Sequence, residues 1–96
     1  MVDIEKLRNA VDIRQQVMII VIHEMQSKWF TIREVHKCLQ GYGIPSEYYQ
    51  VEHALRKMAQ RQRVTTILKF HQKWHPRMYK QAKRLQQDYN VLYPQG

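Results

Sequence analysis

The 96-residue chain predicts a mainly α domain with a small β-hairpin, and three features of the sequence lead there. Apolar residues recur at three- and four-residue steps in most of the chain, the spacing of amphipathic helices. Val64 to Phe70 is instead β-branched and aromatic, the composition of a strand. Gly41-Tyr42-Gly43-Ile44-Pro45 punctuates the middle as a connector between helices. A hydrophobic content of 44% at this length supports one modest core, so the chain reads as a single domain.

The first segment, Val2 to Gln26, is helical by period, with Ile4, Leu7, Val11, Met18, Val21 and Met25 in step. Asp3 is placed to cap it. Asp12 followed by Gln15 is a second capping signal, so one long helix and two helices jointed near Val11 fit equally. Val17 to Ile22 is apolar on every side and predicts the most buried element. Arg14 interrupts any long heptad seam, which leaves Ile4 and Leu7 as the dimer contacts an N-terminal helix offers.

Thr31-Ile32-Arg33-Glu34 is a capping box, and Phe30 with Val35 forms a hydrophobic staple around it. Ile32, Val35, Cys38 and Leu39 then face inwards, Arg33, Lys37 and Gln40 outwards, and Gly41 stops the helix. Ser46 is a cap for the next segment, which runs to Arg63. Tyr48, Val51, Leu55, Met58 and Ala59 fall on its inner face. Tyr49, Gln50, His53, Arg56, Lys57 and Gln60 fall on the other, with Glu47 and Glu52 towards the flanks.

In the strand at 64–70, Val64, Thr66, Leu68 and Phe70 share one side. His71 to Lys80 admits two readings: a return strand ending at Met78-Tyr79-Lys80, or a last helix that begins at Pro76. In both, Ala82, Leu85, Tyr89 and Leu92 line one face of a final helix that Pro94 ends. That face either packs back on the first helix or offers a homodimer or partner surface.

Charge narrows the function classes. Residues 1–52 hold six Lys/Arg and seven Asp/Glu, whereas the remainder holds ten and one, and no acid occurs from His53 to Gln87. A half that basic predicts attraction to polyanions. Phosphate neutralisation needs Lys and Arg, and Gln and Arg carry the paired groups that match adenine and guanine edges. Phe70, Trp74 and Tyr79, interleaved with cations, could serve as stacking platforms for single strands; the expectation is instead that Phe70 and Trp74 close the core against the strand.

Other chemistry finds little support. The apolar runs are too short to span a bilayer, the N-terminus lacks the pattern of a signal peptide, and a lone Cys38 implies no disulfide framework, so the expectation is a cytoplasmic protein without a membrane role. His71 and His75 are four apart, but in an extended stretch they separate, so no metal is expected. His23-Glu24 begins like a zinc protease motif, but Ser27 occupies the second histidine's place. No phosphate loop, activated cysteine or paired carboxylates appear, so neither an enzyme nor a cofactor is expected.

FTIREVHKCL, the Val51-Ala54-Leu55-Met58 pattern, the basic exit RQR into VTTILKF, and MYK together resemble the winged helix-turn-helix domains of bacterial and phage regulators, over roughly residues 11 to 80. The connector is looser than the tightest helix-turn-helix links, and the wing lacks a glycine tip. The resemblance implies one such domain with flanking helices, its third helix (46–60) in the major groove of double-stranded DNA and a basic wing on the backbone. Carried over by position, Tyr49, Gln50, His53 and Lys57 face the groove, with Arg56 and Gln60 alongside. Arg61, Arg63, Lys69, Lys73 and Arg77 serve the wing and its approach. Gln50 is the favoured sequence reader, and the implied role is a small, nucleoid-associated transcriptional regulator, or a replication and recombination accessory factor, acting by occupancy, as a dimer or by recruiting another protein. A different class also fits the charge: a helical interaction module whose basic face docks on an acidic protein.

Overall fold

The computed structural model describes residues 2–26, 28–68 and 77–94. These form α1 (Ile4–Asn9), α2 (Ile13–Glu24), β1 (Phe30–Thr31), α3 (Ile32–Gly41), α4 (Tyr48–Gln60), β2 (Val64–Leu68), β3 (Arg77–Gln81) and α5 (Lys83–Leu92). The fold is mainly helical with a small antiparallel sheet.

Two helices, not one, open the chain, because each start has its own cap. Asp3 accepts from the Glu5 and Lys6 amides at 3.0 and 3.2 Å, and Asp12 accepts from the Gln15 amide at 3.1 Å. Gln15 Oε1 in turn accepts from the Val11 amide at 3.0 Å, so the backbone donors at the joint are met by side chains. Val11, placed in the apolar series by its spacing, lies in this joint and is exposed.

α2 is the pillar. Val17 to Ile22 are six consecutive buried residues, and α1, α3, α4 and α5 all pack against this helix. A helix that is apolar all round is stable only when enclosed in this way. Its carbonyl end is closed from a distance: Gln81, in the last strand, donates its side-chain amide to the Val21 and Ile22 carbonyls.

The capping box at α3 forms as its sequence requires. The Glu34 amide donates to Thr31 Oγ1 at 3.2 Å and the Thr31 amide to Glu34 Oε1 at 3.3 Å, while Phe30 and Val35 are both fully buried. The helix stop differs from the expectation. Gly41 is still helical; the left-handed residue is Gly43, at φ 75°, with the Gly43 amide on Gln40 O (3.0 Å) and the Ile44 amide on Leu39 O (2.9 Å). That bond pair is a Schellman turn, and it puts Ile44 in the core near Leu39.

At α4, Glu47 and not Ser46 takes the cap position. The Ser46 carbonyl accepts from His36 Nε2 at 3.0 Å, which holds the residue outside the helix, and its hydroxyl is buried without a partner. α4 buries Val51, Ala54, Leu55 and Met58 against α2, α3 and β2. It ends in a second Schellman turn: the Gln62 amide reaches Ala59 O (3.1 Å), the Arg63 amide reaches Met58 O (2.8 Å), and Gln62 takes φ 60°. Met58 thus ties the helix end to the start of β2.

The expected hairpin is present and has gained a strand. β2 and β3 pair antiparallel from Val64↔Gln81 to Leu68↔Arg77, and the two-residue β1 adds to the other edge of β3, giving the order β1-β3-β2. Of the two readings for His71 to Lys80, the return strand holds at its described end, Arg77–Gln81, and the last helix starts at Lys83. Residues 69–76 lie outside the described residues, and with them the Phe70, Trp74, His71 and His75 readings. The sheet's inner row is Phe30, Tyr79 and Thr66; the first two are fully buried and stacked at 6.0 Å, while Thr66, at the edge, is exposed.

α5 turns back onto α2. Leu85 and Tyr89 are buried, and the Tyr89 hydroxyl lies 2.7 Å from His23 Nε2. Lys6 Nζ sits 4.8 Å from the Tyr93 ring centre on the same side, which draws α1 in. Among the described residues no helix is long and apolar enough to cross a membrane.

Candidate nucleic-acid interface

Burial of Val51, Ala54, Leu55 and Met58 fixes how α4 is rotated, and the rotation decides what its other side offers. Tyr49 is 67% exposed, and His53, Arg56, Lys57 and Gln60 are all exposed, followed by Arg61 in the cap. Tyr49, His53, Arg56 and Gln60 follow one another at three- and four-residue steps and so make a stripe. Tyr48, expected on the inner face, is exposed as well. It is 46% exposed and meets the edge of His36 at 6.0 Å, because the first turn of α4 projects beyond the core it was expected to enter.

Gln50 has a second task. Its Oε1 accepts from the Glu47 amide at 2.9 Å, so the carbonyl half of the carboxamide closes the start of the helix and the residue is half-buried. Arg56 is held by Glu52, one turn back, at 3.4 Å, which orients the guanidinium along the stripe. Arg63 is committed elsewhere: its Nε lies 2.5 Å from Asp88 Oδ2 of α5, both side chains being half-buried. That pairing follows from where α5 docks, and it makes Arg63 a latch between the end of α4 and the last helix. Arg77 begins β3 and faces the last turn of α4 across a groove that Arg56 and Gln60 also line. Lys69 and Lys73 lie outside the described residues.

The acids are mostly tied up locally. Asp3, Asp12 and Glu34 cap helices, Glu24 accepts from the Tyr42 hydroxyl, and Glu52 and Asp88 sit in the ion pairs above. Positive charge on the outer side of α4 is therefore offset at one position, Arg56, while Lys57 and Arg61 stand in no ion pair among the described residues.

Two residue groups escaped the sequence reading. Gln62, Thr65 and Thr66 line the groove beside Arg77, and Arg14, from α2, comes to the cleft that Lys57 and Arg61 border. Strand pairing brings the first group in, and helix packing brings the second. No spacing along the chain signals either.

The remaining candidates have structural tasks. His23 and Glu24, which begin like a protease motif, hold Tyr89 and Tyr42. Burial keeps the His23 imidazole below its ordinary value, and Lys6 adds to this against Glu24 and Asp3. Cys38 is half-buried at the core's margin, and burial pushes its thiol up, away from the reactive thiolate. Among the described residues no three His, Cys, Asp or Glu side chains gather as a metal site would require. No protein-family model matches the chain, and no curated protein matches it.

Proposed function

We propose that this chain is a winged helix-turn-helix module that binds double-stranded DNA, with α4 in the major groove and the β2–β3 hairpin on the backbone. The observation that carries this is the outer side of α4: an exposed stripe of Tyr49, His53, Arg56 and Gln60, with Lys57 and Arg61 beside it, on a helix whose opposite side is locked into the core. A rigid helix that projects cations and carboxamides suits a groove lined with base edges and flanked by phosphates. The order of elements and the β1-β3-β2 sheet support the reading.

Within it the roles divide by chemistry. Lys57 and Arg61 neutralise phosphates, and Arg77 does so from the hairpin. Gln60, which is exposed, can present a donor and an acceptor to adenine at once, whereas Gln50 reads with its N–H donors only as long as Oε1 holds the cap. The module acts as a small cytoplasmic, nucleoid-associated transcriptional regulator that works by occupancy. Leu85 and Tyr89 are buried within the chain, so dimer contacts through α5 would use the exposed Val91 and Leu92.

The experiment is a duplex-binding titration across salt. Affinity should fall linearly on a log–log plot, with a slope of about −0.9 for each phosphate neutralised. Absence of binding at low salt would overturn the proposal. One observation favours a second reading, docking on an acidic protein: a cleft of about 370 Å³ in which Met18, Met58, Val91 and Leu92 lie beside Lys57 and Arg61, the two acids that also line it, Asp12 and Asp88, being paired with Arg14 and Arg63. Partner capture that Leu92→Asp abolishes, in a chain that does not bind duplex, would establish it instead.

A further inference from the structure

Between the last turn of α4 and the β2–β3 strands lies a groove of about 710 Å³. Arg56 and Gln60 come to it from the helix, Gln62 from the turn, Thr66 from β2, and Arg77 and Tyr79 from β3. Among the described residues no carboxylate lines it, and Glu52, one turn back on α4, is engaged by Arg56. Two guanidiniums thus come to one groove: Glu52 partly offsets Arg56, while Arg77 stands in no ion pair among the described residues, so the groove keeps a net positive charge that an anion would neutralise.

Two independent features mark the same place. Gln62 is the only non-glycine residue with positive φ among the described residues, and this backbone fixes where the turn passes the groove. Tyr79 is fully buried, yet among the described residues its hydroxyl has no hydrogen-bond partner, an uncommon state for a buried polar group. Burial pushes that phenol up and Glu52 adds to the push, while the Arg77 and Arg56 guanidiniums oppose it.

We propose that this groove seats a phosphate group: Arg56 and Arg77 supply charge, Gln60, Gln62 and Thr66 supply hydrogen-bond donors, and the unpartnered Tyr79 hydroxyl supplies a further one. A tetrahedral oxyanion accepts from several directions at once, which matches donors on three elements, and guanidinium groups pair with it in bidentate fashion. The groove has room for the ester carbon and sugar beyond the phosphate. The phosphate is either a backbone phosphodiester of the duplex, in which case the inference rests on the DNA-binding reading above, or a free phosphate.

The test is a chemical-shift titration of the full ¹⁵N-labelled chain at fixed ionic strength, with inorganic phosphate in one arm, a short duplex in a second and chloride as control. Saturable shifts of the Gln62, Thr65 and Thr66 amides with phosphate or duplex, absent with chloride, are expected. Arg77→Gln should weaken the binding about tenfold, the loss of one charged hydrogen-bonding partner. Tyr79→Phe should weaken it several-fold while the melting temperature holds or rises, which a purely structural hydroxyl would not produce. Shifts with duplex alone assign the seat to a backbone phosphodiester. Shifts with phosphate from a chain that fails to bind duplex keep the seat and overturn the DNA reading. Duplex binding that leaves these amides still, and is indifferent to Arg77→Gln, overturns the seat and keeps the DNA reading; silence in both arms also overturns the seat.

Discussion

α2 and α4 are nearly the same length, 12 and 13 residues, but they do opposite things with their surfaces. Neighbours enclose α2 on all sides, so six of its residues in a row are buried. α4 has partners on one side only and buries four positions; most of the rest, largely cationic, aromatic and amide-bearing, is exposed. Stability is thus concentrated in one helix, and the chemistry available to a partner in the other. The separation makes a clear demand: changes in α2 should be felt in folding, and changes on the outer side of α4 in binding.

The largest effect should come from α2. Ile20→Ala removes a fully buried side chain from the centre of the core and should destabilise the fold by about 2–5 kcal/mol in chemical denaturation. For a small domain with about 5–15 kcal/mol in total, that is a large fraction. A loss under about 1 kcal/mol would mean that α2 is not the pillar.

On α4 the expectation reverses. Lys57→Ala combined with Arg61→Ala should leave stability within about 0.5 kcal/mol, because both side chains are exposed and unpaired among the described residues. The salt slope of duplex binding should become shallower by about 2, one unit per lost phosphate contact, with affinity falling for every sequence alike. A variant that melts early while its slope is unchanged would break the division between the two helices.

The link between the helix end and the sheet gives a smaller effect of known sign. Gln62 occupies the left-handed position of a Schellman turn, where a side chain costs about 1–2 kcal/mol. Glycine relieves that strain but loosens the unfolded chain by about 0.5–1 kcal/mol, so Gln62→Gly should stabilise by about 0.5–1 kcal/mol in thermal melts. Destabilisation would show that the Gln62 side chain has a partner the turn depends on.

The smallest effect is a pH dependence at the junction of α2 and α5. Burial lowers the folded-state value of His23, so the unfolded chain takes up the proton more readily. This contribution to stability is complete above the ordinary histidine value near 6.5. It declines as the pH falls from there towards the lowered folded value. Melts between pH 7 and pH 5 should show the decline, and His23→Gln should flatten it. A decline of equal size in the variant would assign it to other groups.

Much of the architecture was legible because it rests on neighbours three to five residues apart. The Thr31 box, the Asp3 and Asp12 caps and the amphipathic pattern of α4 are all of this kind. The site was legible to the same depth. The exposure of Tyr49, His53, Arg56, Lys57 and Gln60 follows from the period of one helix once its apolar side is buried. Where local signals compete, the sequence misleads: Ser46 is a better cap residue than Glu47, yet His36 holds its carbonyl outside the helix. Gly41 looked like the stop until the bonds to Leu39 and Gln40 put the left-handed residue at Gly43.

By itself, then, the sequence determined most of the helical stretches, the Asp3, Asp12 and Thr31 caps, the basic half of the chain and the cationic side of α4, because these depend on residue type and short-range periodicity. Only the tertiary structure decided that Phe30 and Thr31 join β3 as a third strand, that Tyr48 stays outside, that Arg63 is taken by Asp88, and that Arg56, Gln62 and Arg77 share a groove with the buried Tyr79. Most of those outcomes join residues far apart in the chain, and which distant groups meet is set by how the enclosed α2 orients everything packed around it.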